Sequence, residues 1–250
     1  MHAIVCMKYY QSEISDKMLQ FSMNDISALA YAVQLKKALL DKISVLCMGP
    51  VHVVDSLKDC ISFGADNIYL VSDSLYAGSD TLITSYILSE ALKYIQKEDP
   101  YHLIFCGDNT DDSGTGQVGP GLACRMGYAF ISDVKKIEHA SENLVITNQD
   151  YQVLSSEPVV VSIRDDIRLS FPTLPNIMKA KKAKAEIITN QELGLKKDQV
   201  GYMASPTKVV KIIDTQDKET EKLNILNGSF EETAAELIKM IKALKEVKNG

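Results

Sequence analysis

The chain has 250 residues, a formal net charge of −6 and 46% hydrophobic residues. This length suits either one large α/β domain with an appendage or two small domains, and it can bury a fully covered sheet without covalent cross-links. The negative charge argues against binding to nucleic acid, because that affinity rests on cationic contacts with phosphate groups.

The five cysteines include no Cys-x-x-Cys pair, and three of them lie in apolar runs that predict buried strands. This arrangement favours free thiols in a reducing compartment over disulfides or a zinc site. The four histidines also lack the spacing of metal ligands. No segment is apolar for long enough to span a membrane, and the first apolar run is too short for a signal peptide. We therefore expect a cytoplasmic protein without a bound metal.

The first half of the chain alternates short apolar runs with segments of helical periodicity. Because the apolar runs are nearly continuous, we expect parallel strands that are covered by helices on both faces. The first helix has Ser22, Asn24 and Asp25 as candidate caps, and the fourth helix is predicted to begin near Thr115 and to end at Gly127. The predicted strands are Ala3–Met7, Ser44–Met48, Asn67–Val71 and Leu103–Cys106.

The pattern changes after the fourth helix. Phe130–Glu138, Leu144–Tyr151 and Val159–Ile163 have strand-like patterns, and a turn signal separates the first two. We interpret these three segments as an antiparallel excursion attached to the main sheet. From Phe171 to Ala185 regular periodicity fails, so no element is predicted there.

The last part of the chain is polar and rich in turns. Val209–Ile213 predicts a short strand, and Phe230–Lys245 predicts an amphipathic helix that needs an apolar surface to cover one face. The predicted fold is a three-layer α/β/α arrangement with a mostly parallel sheet, an antiparallel excursion and a C-terminal arm with a helix. Residues 1–190 would form the α/β domain, and residues 191–250 would form the arm and helix.

The segment Gly107–Pro120 carries the densest functional signal, because it follows a predicted strand at the end where open parallel sheets bind ligands. Its glycines allow close approach of the backbone and positive φ angles, and the next helix offers free N–H groups to an anion. The segment lacks Gly-Lys-Ser/Thr, so it predicts a phosphate cradle that is not a Walker motif. From the residues alone, a polar turn that only connects strand to helix remains an equal alternative.

Asp112–Pro120 resembles the Asp-Gly-Asp-Thr-x-Gln-x-Gly signature of electron-transfer flavoprotein beta subunits. Further blocks of the chain are similar to that family, in the same order and well spaced. They are Met48-Gly49-Pro50, Gly64-Ala65-Asp66, the residues from Ala77 to Tyr86, Glu157 to Val161, and Leu174 to Lys182.

The resemblance implies a beta subunit that pairs with an alpha subunit carrying the redox-active FAD. It also implies a second adenine nucleotide between the strand ends of the beta subunit. That nucleotide is AMP in ordinary members and a second FAD, reduced by NADH, in electron-bifurcating members. The block from Ala77 to Ser85 is more similar to the bifurcating and nitrogen-fixation-type branch, so we expect FAD, with AMP as the alternative.

The resemblance also implies partners and binding residues. Electrons would pass between a flavin-dependent dehydrogenase, similar to acyl-CoA dehydrogenases, and carriers such as ferredoxin or flavodoxin. The chain would be an electron carrier without catalytic residues of its own, and enzyme activity of the heterodimer is left open. The expected nucleotide-binding residues are Cys6, Met48, Ala77, Asp80, Thr81, Thr84, Asp112, Ser113, Gly114, Thr115, Gly116, Gln117, Val118 and Gly119.

The sequence departs from the family pattern at the predicted site. Asp108 and Asn109 stand where the family usually has a basic residue and Gln, and Gly114 replaces the second Asp of the signature. Ser22 to Asp25 stand where the family usually has Asn-Pro before the first helix. An acidic residue in place of a cation should repel a phosphate or a reduced flavin, so we expect Asp108 to weaken nucleotide binding.

A lysine-rich segment has two interpretations. One is a solvated basic face, which accounts for most charge runs. The other follows the family resemblance: Leu174 is an apolar anchor for a partner protein, and Lys179, Lys181 and Lys182 steer an acidic partner towards it.

Two other functions remain alternatives. A stand-alone adenine-nucleotide-binding sensor of related α/β architecture would have no alpha subunit, and the Leu174 segment and the last helix would then have no role. An ATP-hydrolysing or adenylating enzyme would need a Lys or Arg in the phosphate loop, and Gly107–Pro120 contains neither.

Overall fold

The structure is a computed structural model. The chain forms two compact units, Met1–Lys208 and Val209–Gly250. The predicted strand Val209–Ile213 lies outside the described residues. Within the part of the chain that the structure describes, no helix is long and apolar enough to cross a membrane. The described residues are 1–9, 20–36, 38–141, 143–156, 158–164, 167–208 and 226–247.

Ten strands are present in the described residues, and seven of them form one sheet. Every neighbouring pair in this sheet is parallel, and the order is β10-β3-β2-β1-β4-β9-β5. The strands are β1 (His2–Met7), β2 (Lys42–Met48), β3 (Asn67–Val71), β4 (Leu103–Gly107), β5 (Ala129–Ile131), β6 (Lys136–Ala140), β7 (Asn143–Thr147), β8 (Gln152–Ser155), β9 (Val159–Ile163) and β10 (Glu186–Ile188).

Helices cover both faces of the sheet, which confirms the three-layer α/β/α prediction. Alternate residues of β1 point into different cores, with Ala3 and Val5 in one and Ile4 and Cys6 in the other. The helices are α1 (Met23–Leu35), α2 (Val54–Ser62), α3 (Thr81–Glu98), α4 (Val118–Met126), α5 (Leu174–Lys182), α6 (Asn190–Leu193), α7 (Gly201–Ala204) and, in the second unit, α8 (Phe230–Val247). Residues 191–208, which the sequence assigned to the arm, lie in the first unit.

An antiparallel sheet is present as predicted, but not all of the three predicted segments belong to it. Val159–Ile163 is a parallel strand between β4 and β5, and all five of its residues are buried, as a strand covered on both faces requires. The run Phe130–Glu138 is not one strand, because the backbone turns at Asp133, where φ is 50°. The antiparallel part is a separate sheet of β6, β7 and β8.

A helix was missed where periodicity fails. α5 begins after Thr173, whose side-chain oxygen accepts a hydrogen bond from the Asn176 N–H at 3.4 Å, and Pro175 lies in its first turn. A Thr cap followed by Pro in the first turn is a recognised start signal for a helix. This signal in the sequence could have predicted α5. α4 begins at Val118, later than Thr115, and ends at Met126 with Gly127 as its C-cap, which agrees with the predicted stop at Gly127.

Candidate functional site

The candidate site is a cleft at the carboxyl ends of β1 and β4, where the strand order of the sheet reverses. β2 and β3 lie on one side of β1, whereas β4 lies on the other, so the connections leave the two strand ends in opposite directions. An open α/β sheet forms its ligand crevice at such a point. A cavity of about 350 Å³ lies here, lined by Cys6, Met7 and Lys8 at the end of β1 and by residues 106–109 at the end of β4.

The structure brings most of the predicted site residues to this one cavity. They come from β1, from β2, from the start of α3 and from the segment between β4 and α4. The predicted residues that line the cavity are Cys6, Met48, Asp80, Thr81, Thr84, Ser113, Thr115, Gly116, Gln117, Val118 and Gly119.

Ala77, Gly114 and Asp112 do not line the cavity. The carbonyl of Ala77 accepts the Tyr202 N–H at 3.0 Å, so it contacts the segment around α7. The Gly114 N–H donates to the Thr110 carbonyl at 2.9 Å and closes a turn. The Asp112 carboxylate lies 2.6 Å from the Lys8 ammonium, beside the cavity.

The segment Gly107–Val118, here called the phosphate loop after the ligand predicted for it, is held to the first turn of α1. The Asn24 side chain donates to the Asn109 side-chain oxygen at 2.6 Å, and the Met23 N–H donates to the Asp111 carboxylate at 3.3 Å. The Asp111 N–H in turn donates to the Ser22 hydroxyl at 3.2 Å. Two of the three places where the sequence departs from the family pattern therefore contact each other, and these contacts tie the loop to α1.

Gly116 has a backbone conformation that the loop requires. Its φ is +62°, and a Cβ atom at this position would lie 2.9 Å from the Asp108 carbonyl oxygen. A side chain here would strain the loop itself, in addition to blocking close approach of a ligand. Gly127, at the other end of α4, has a similar φ of +70° with nothing within 4 Å of the added Cβ.

If the cleft binds an adenine nucleotide, as the sequence predicts, Gly116→Ala should weaken that binding by tenfold or more, because the added Cβ displaces the loop backbone. Gly127→Ala is the matched control: it carries the same left-handed strain, about 1–2 kcal/mol, away from the loop. Titration of both variants with AMP checks this expectation, and thermal unfolding compares their stabilities. Equal binding by the two variants would show that the Gly116 backbone does not shape the site.

Asp25 lines the cavity, although the sequence did not predict it as a site residue. It is 4% exposed, and its carboxylate accepts the backbone N–H of Lys8 at 2.8 Å and that of Gly107 at 2.9 Å. Of the three candidate caps for α1, Ser22 occupies the N-cap position and Asp25 does not. Asp25 instead joins α1 to the ends of β1 and β4, the two strands that form the cleft.

The environment of Asp25 changes its acidity. Burial raises the pKa of Asp25 to about 7, although the two backbone N–H groups act in the opposite direction. Asp25 also lines the cavity. The charge at the base of the cleft therefore changes near neutral pH.

The first turn of α3 forms a second wall of the cavity. Asp80 caps this helix by accepting the Ile83 N–H at 3.0 Å, and its other oxygen accepts the Thr207 hydroxyl at 2.7 Å. The hydroxyls of Thr81 and Thr115 lie 3.5 Å apart. The first residues of α3 and α4 both line the cavity, and both helix dipoles favour a negative charge there.

Asp108 has partners that moderate the repulsion expected from the sequence. Its carboxylate accepts the Ser162 hydroxyl at 3.2 Å and lies 4.0 Å from the Arg164 guanidinium. Ser162 and Arg164 come from the end of β9, the neighbouring strand. The predicted weakening of phosphate binding by Asp108 stays a prediction.

The predicted docking residues lie on α5 and not on a loop. Leu174, in the first turn, is 72% exposed, and Lys181 and Lys182 are exposed in the last turn. Lys179 differs from them, because its ammonium lies 3.2 Å from the Asp66 carboxylate. The apolar side chains of Phe171 and Met178 are also exposed near Leu174 in the sequence.

The fold and the cleft define a doubly wound α/β protein with a cavity at its switch point. Comparison with known proteins narrows this class, because the electron transfer flavoprotein domain matches residues 15–193. The chain belongs to the electron transfer flavoprotein family, and its relatives are beta subunits and proteins of the FixA type. Family membership supports a role in electron transfer.

Three relatives show the range of the similarity. The electron transfer flavoprotein subunit beta of Megasphaera elsdenii is 34% identical over 201 residues, which cover 77% of this chain and 74% of the relative. Protein FixA of Azotobacter vinelandii is 33% identical, with 75% and 70% covered. Subunit CarD of the caffeyl-CoA reductase-Etf complex of Acetobacterium woodii is 27% identical, with 80% and 77% covered.

Proposed function

We propose that this chain binds an adenine nucleotide in the strand-end cleft and, with an electron-transfer flavoprotein alpha subunit, passes electrons between a dehydrogenase and other redox carriers. The observation that carries the proposal is the phosphate loop, which places glycine backbone and the N-terminus of α4 at the switch point of the sheet. A bound nucleotide would have its phosphate groups at residues 116–119.

FAD is the proposed nucleotide, with AMP as the alternative. A diphosphate has two groups to bind, and the N-termini of both α3 and α4 line the cavity. AMP has one phosphate and would need only the N-terminus of α4. Thr84, one turn into α3, lines the same cavity and would lie near the part of FAD beyond its diphosphate. FAD bound here would supply a second flavin for electron transfer, which also supports bifurcation from NADH to ferredoxin or flavodoxin.

The proposal of an alpha subunit and a dehydrogenase as partners is supported by the family and by exposed apolar surfaces of the chain. We propose that the alpha subunit covers residues 191–250, including the face of α8 formed by Leu237, Met240 and Ile241, which are 42–51% exposed. The relative named as a subunit of a caffeyl-CoA reductase-Etf complex supports a dehydrogenase that acts on an acyl-CoA.

Flavin content tests the proposal. The chain would be co-purified with its alpha subunit, and FAD and AMP would be measured by absorbance and mass spectrometry. Two FAD per heterodimer are expected, whereas one FAD and one AMP would support the alternative ligand. A heterodimer whose beta subunit holds neither nucleotide would overturn the proposal. A chain that purifies alone with a nucleotide would favour the stand-alone sensor.

Docking of the dehydrogenase has its own test. Leu174→Ala should slow electron transfer to the dehydrogenase about tenfold at sub-saturating partner, because burying a leucine contributes ~1.5–3 kcal/mol. Flavin content and thermal stability should stay the same, since Leu174 is exposed. Leu154→Ala, at a position 64% exposed on β8, is the matched control and should have no effect on transfer. Loss of stability with normal transfer would show that Leu174 only packs within the chain.

The lysines should act on the rate of association. Neutralising Lys181 and Lys182 should slow association with an acidic partner, and added salt should reproduce the effect. Lys179 should contribute less, because Asp66 already pairs with it.

A further inference from the structure

Lys8 is the only cationic residue among the described residues that line the cavity. It follows the last residue of β1, and its backbone N–H is fixed by the buried Asp25 carboxylate. The phosphate loop contains no Lys or Arg, so any cation that meets a phosphate in this cavity must come from another segment. Lys8 occupies a suitable position for that role.

The acidic residues of the cavity have other partners. The Asp25 carboxylate accepts two backbone N–H groups, Asp80 caps α3 and contacts Thr207, and Asp108 accepts the Ser162 hydroxyl. The ammonium of Lys8 contacts a different carboxylate, that of Asp112, at 2.6 Å. Asp112 belongs to the phosphate loop but does not line the cavity.

The contact between Lys8 and Asp112 is open to exchange. The two side chains are 44% and 38% exposed, and ion pairs with such exposure contribute little to stability. A lysine ammonium moves on a flexible four-carbon stem. A small rotation about that stem would carry the ammonium from Asp112 to a phosphate in the cavity.

We propose that Lys8 is the phosphate-binding cation of the cleft and that Asp112 competes with the nucleotide for it. The Lys8–Asp112 pair then sets the affinity of the cleft for phosphorylated ligands. This inference rests on the proposed function, because it takes an adenine nucleotide as the ligand.

The two partners of the pair should have opposite effects on binding. Lys8→Gln should weaken AMP binding about tenfold, because a charge-assisted contact is lost. Asp112→Asn should tighten AMP binding several-fold, since Lys8 no longer has a competing carboxylate. The variant amide can still accept the Ser113 N–H, which lies 2.8 Å from Asp112 Oδ1. The double variant should bind as weakly as Lys8→Gln.

Calorimetric titration of the full-length chain, freed of nucleotide, tests this with AMP and adenosine. Adenosine binding should be the same in all variants because it has no phosphate, and Lys8→Arg should retain most of the AMP affinity. A merely structural ion pair would make both single variants shift AMP affinity in the same direction, which would overturn the inference. Failure of the wild-type chain to bind AMP, FAD and adenosine would instead contradict the proposed function.

Discussion

Replacing Asp25 by asparagine should remove a pH dependence of stability that the wild-type chain carries. Burial raises the pKa of Asp25 from 3.8 to about 7, so between these values the folded chain holds a proton that the unfolded chain has released. The stability of the wild type therefore falls as the pH rises through this window, by up to roughly 4 kcal/mol from this residue alone. Asparagine has no proton to exchange, so the contribution of residue 25 to the slope should disappear.

Urea unfolding at pH 5 and at pH 8 measures this effect. Relative to Asp25→Asn, the wild type should be more stable at pH 5 than at pH 8. Ser27→Ala is the matched control, because Ser27 is also buried on α1 and its hydroxyl donates to the Met23 carbonyl within the same helix. It should keep the wild-type slope. An Asp25→Asn variant with the same slope as the wild type would show that Asp25 titrates as an ordinary carboxyl group.

Deleting residues 228–250 should abolish formation of the heterodimer. The deletion removes α8, whose exposed apolar side chains include Phe230, Leu237 and Ile241. Such a face on an 18-residue helix is stable in water only when another surface covers it, and we propose that the alpha subunit does so. Co-purification with a tagged alpha subunit is the measurement.

A finer pair of variants separates loss of the apolar face from loss of the helix. Leu237→Ala with Ile241→Ala should weaken the heterodimer strongly, since both side chains lie on the apolar face. Lys239→Ala with Lys242→Ala changes the other side of α8 and should leave the heterodimer intact. Normal co-purification of the deleted chain would show that the alpha subunit binds elsewhere.

The sequence predicted the strands near the start of the chain well, because burial on both faces leaves a continuous apolar run. The run at Asn67–Val71 agrees with β3 at both ends. Strand direction was harder: Val159–Ile163 has the same apolar character, but its parallel pairing with β4 depends on a return across the sheet. The local sequence does not indicate that the chain crosses back over the sheet before this strand. We therefore predicted Val159–Ile163 to be antiparallel, like the strands that precede it in the chain.

The sequence predicted the part of the candidate site that lies in one contiguous segment, but not the part that the fold brings together from separate elements. Gly116 and its neighbours form one contiguous segment, and its glycines and hydroxyl residues are typical of a ligand-binding loop. Asp25 carries no such signal, because its position at the cavity comes from contacts between α1, β1 and β4. Lys8 follows the first predicted strand, and that strand end was the signal for it. Asp25 in particular satisfies the pattern of a helix cap, and only the fold shows that it joins two strand ends.

The most direct test of the central claim is an experimental structure of the heterodimer with its native nucleotide bound. We expect an adenine nucleotide in the cleft between the ends of β1 and β4, with a phosphate within hydrogen-bonding distance of backbone N–H groups at residues 116–119. A nucleotide bound elsewhere on the chain, or one whose phosphates contact none of these groups, would contradict it.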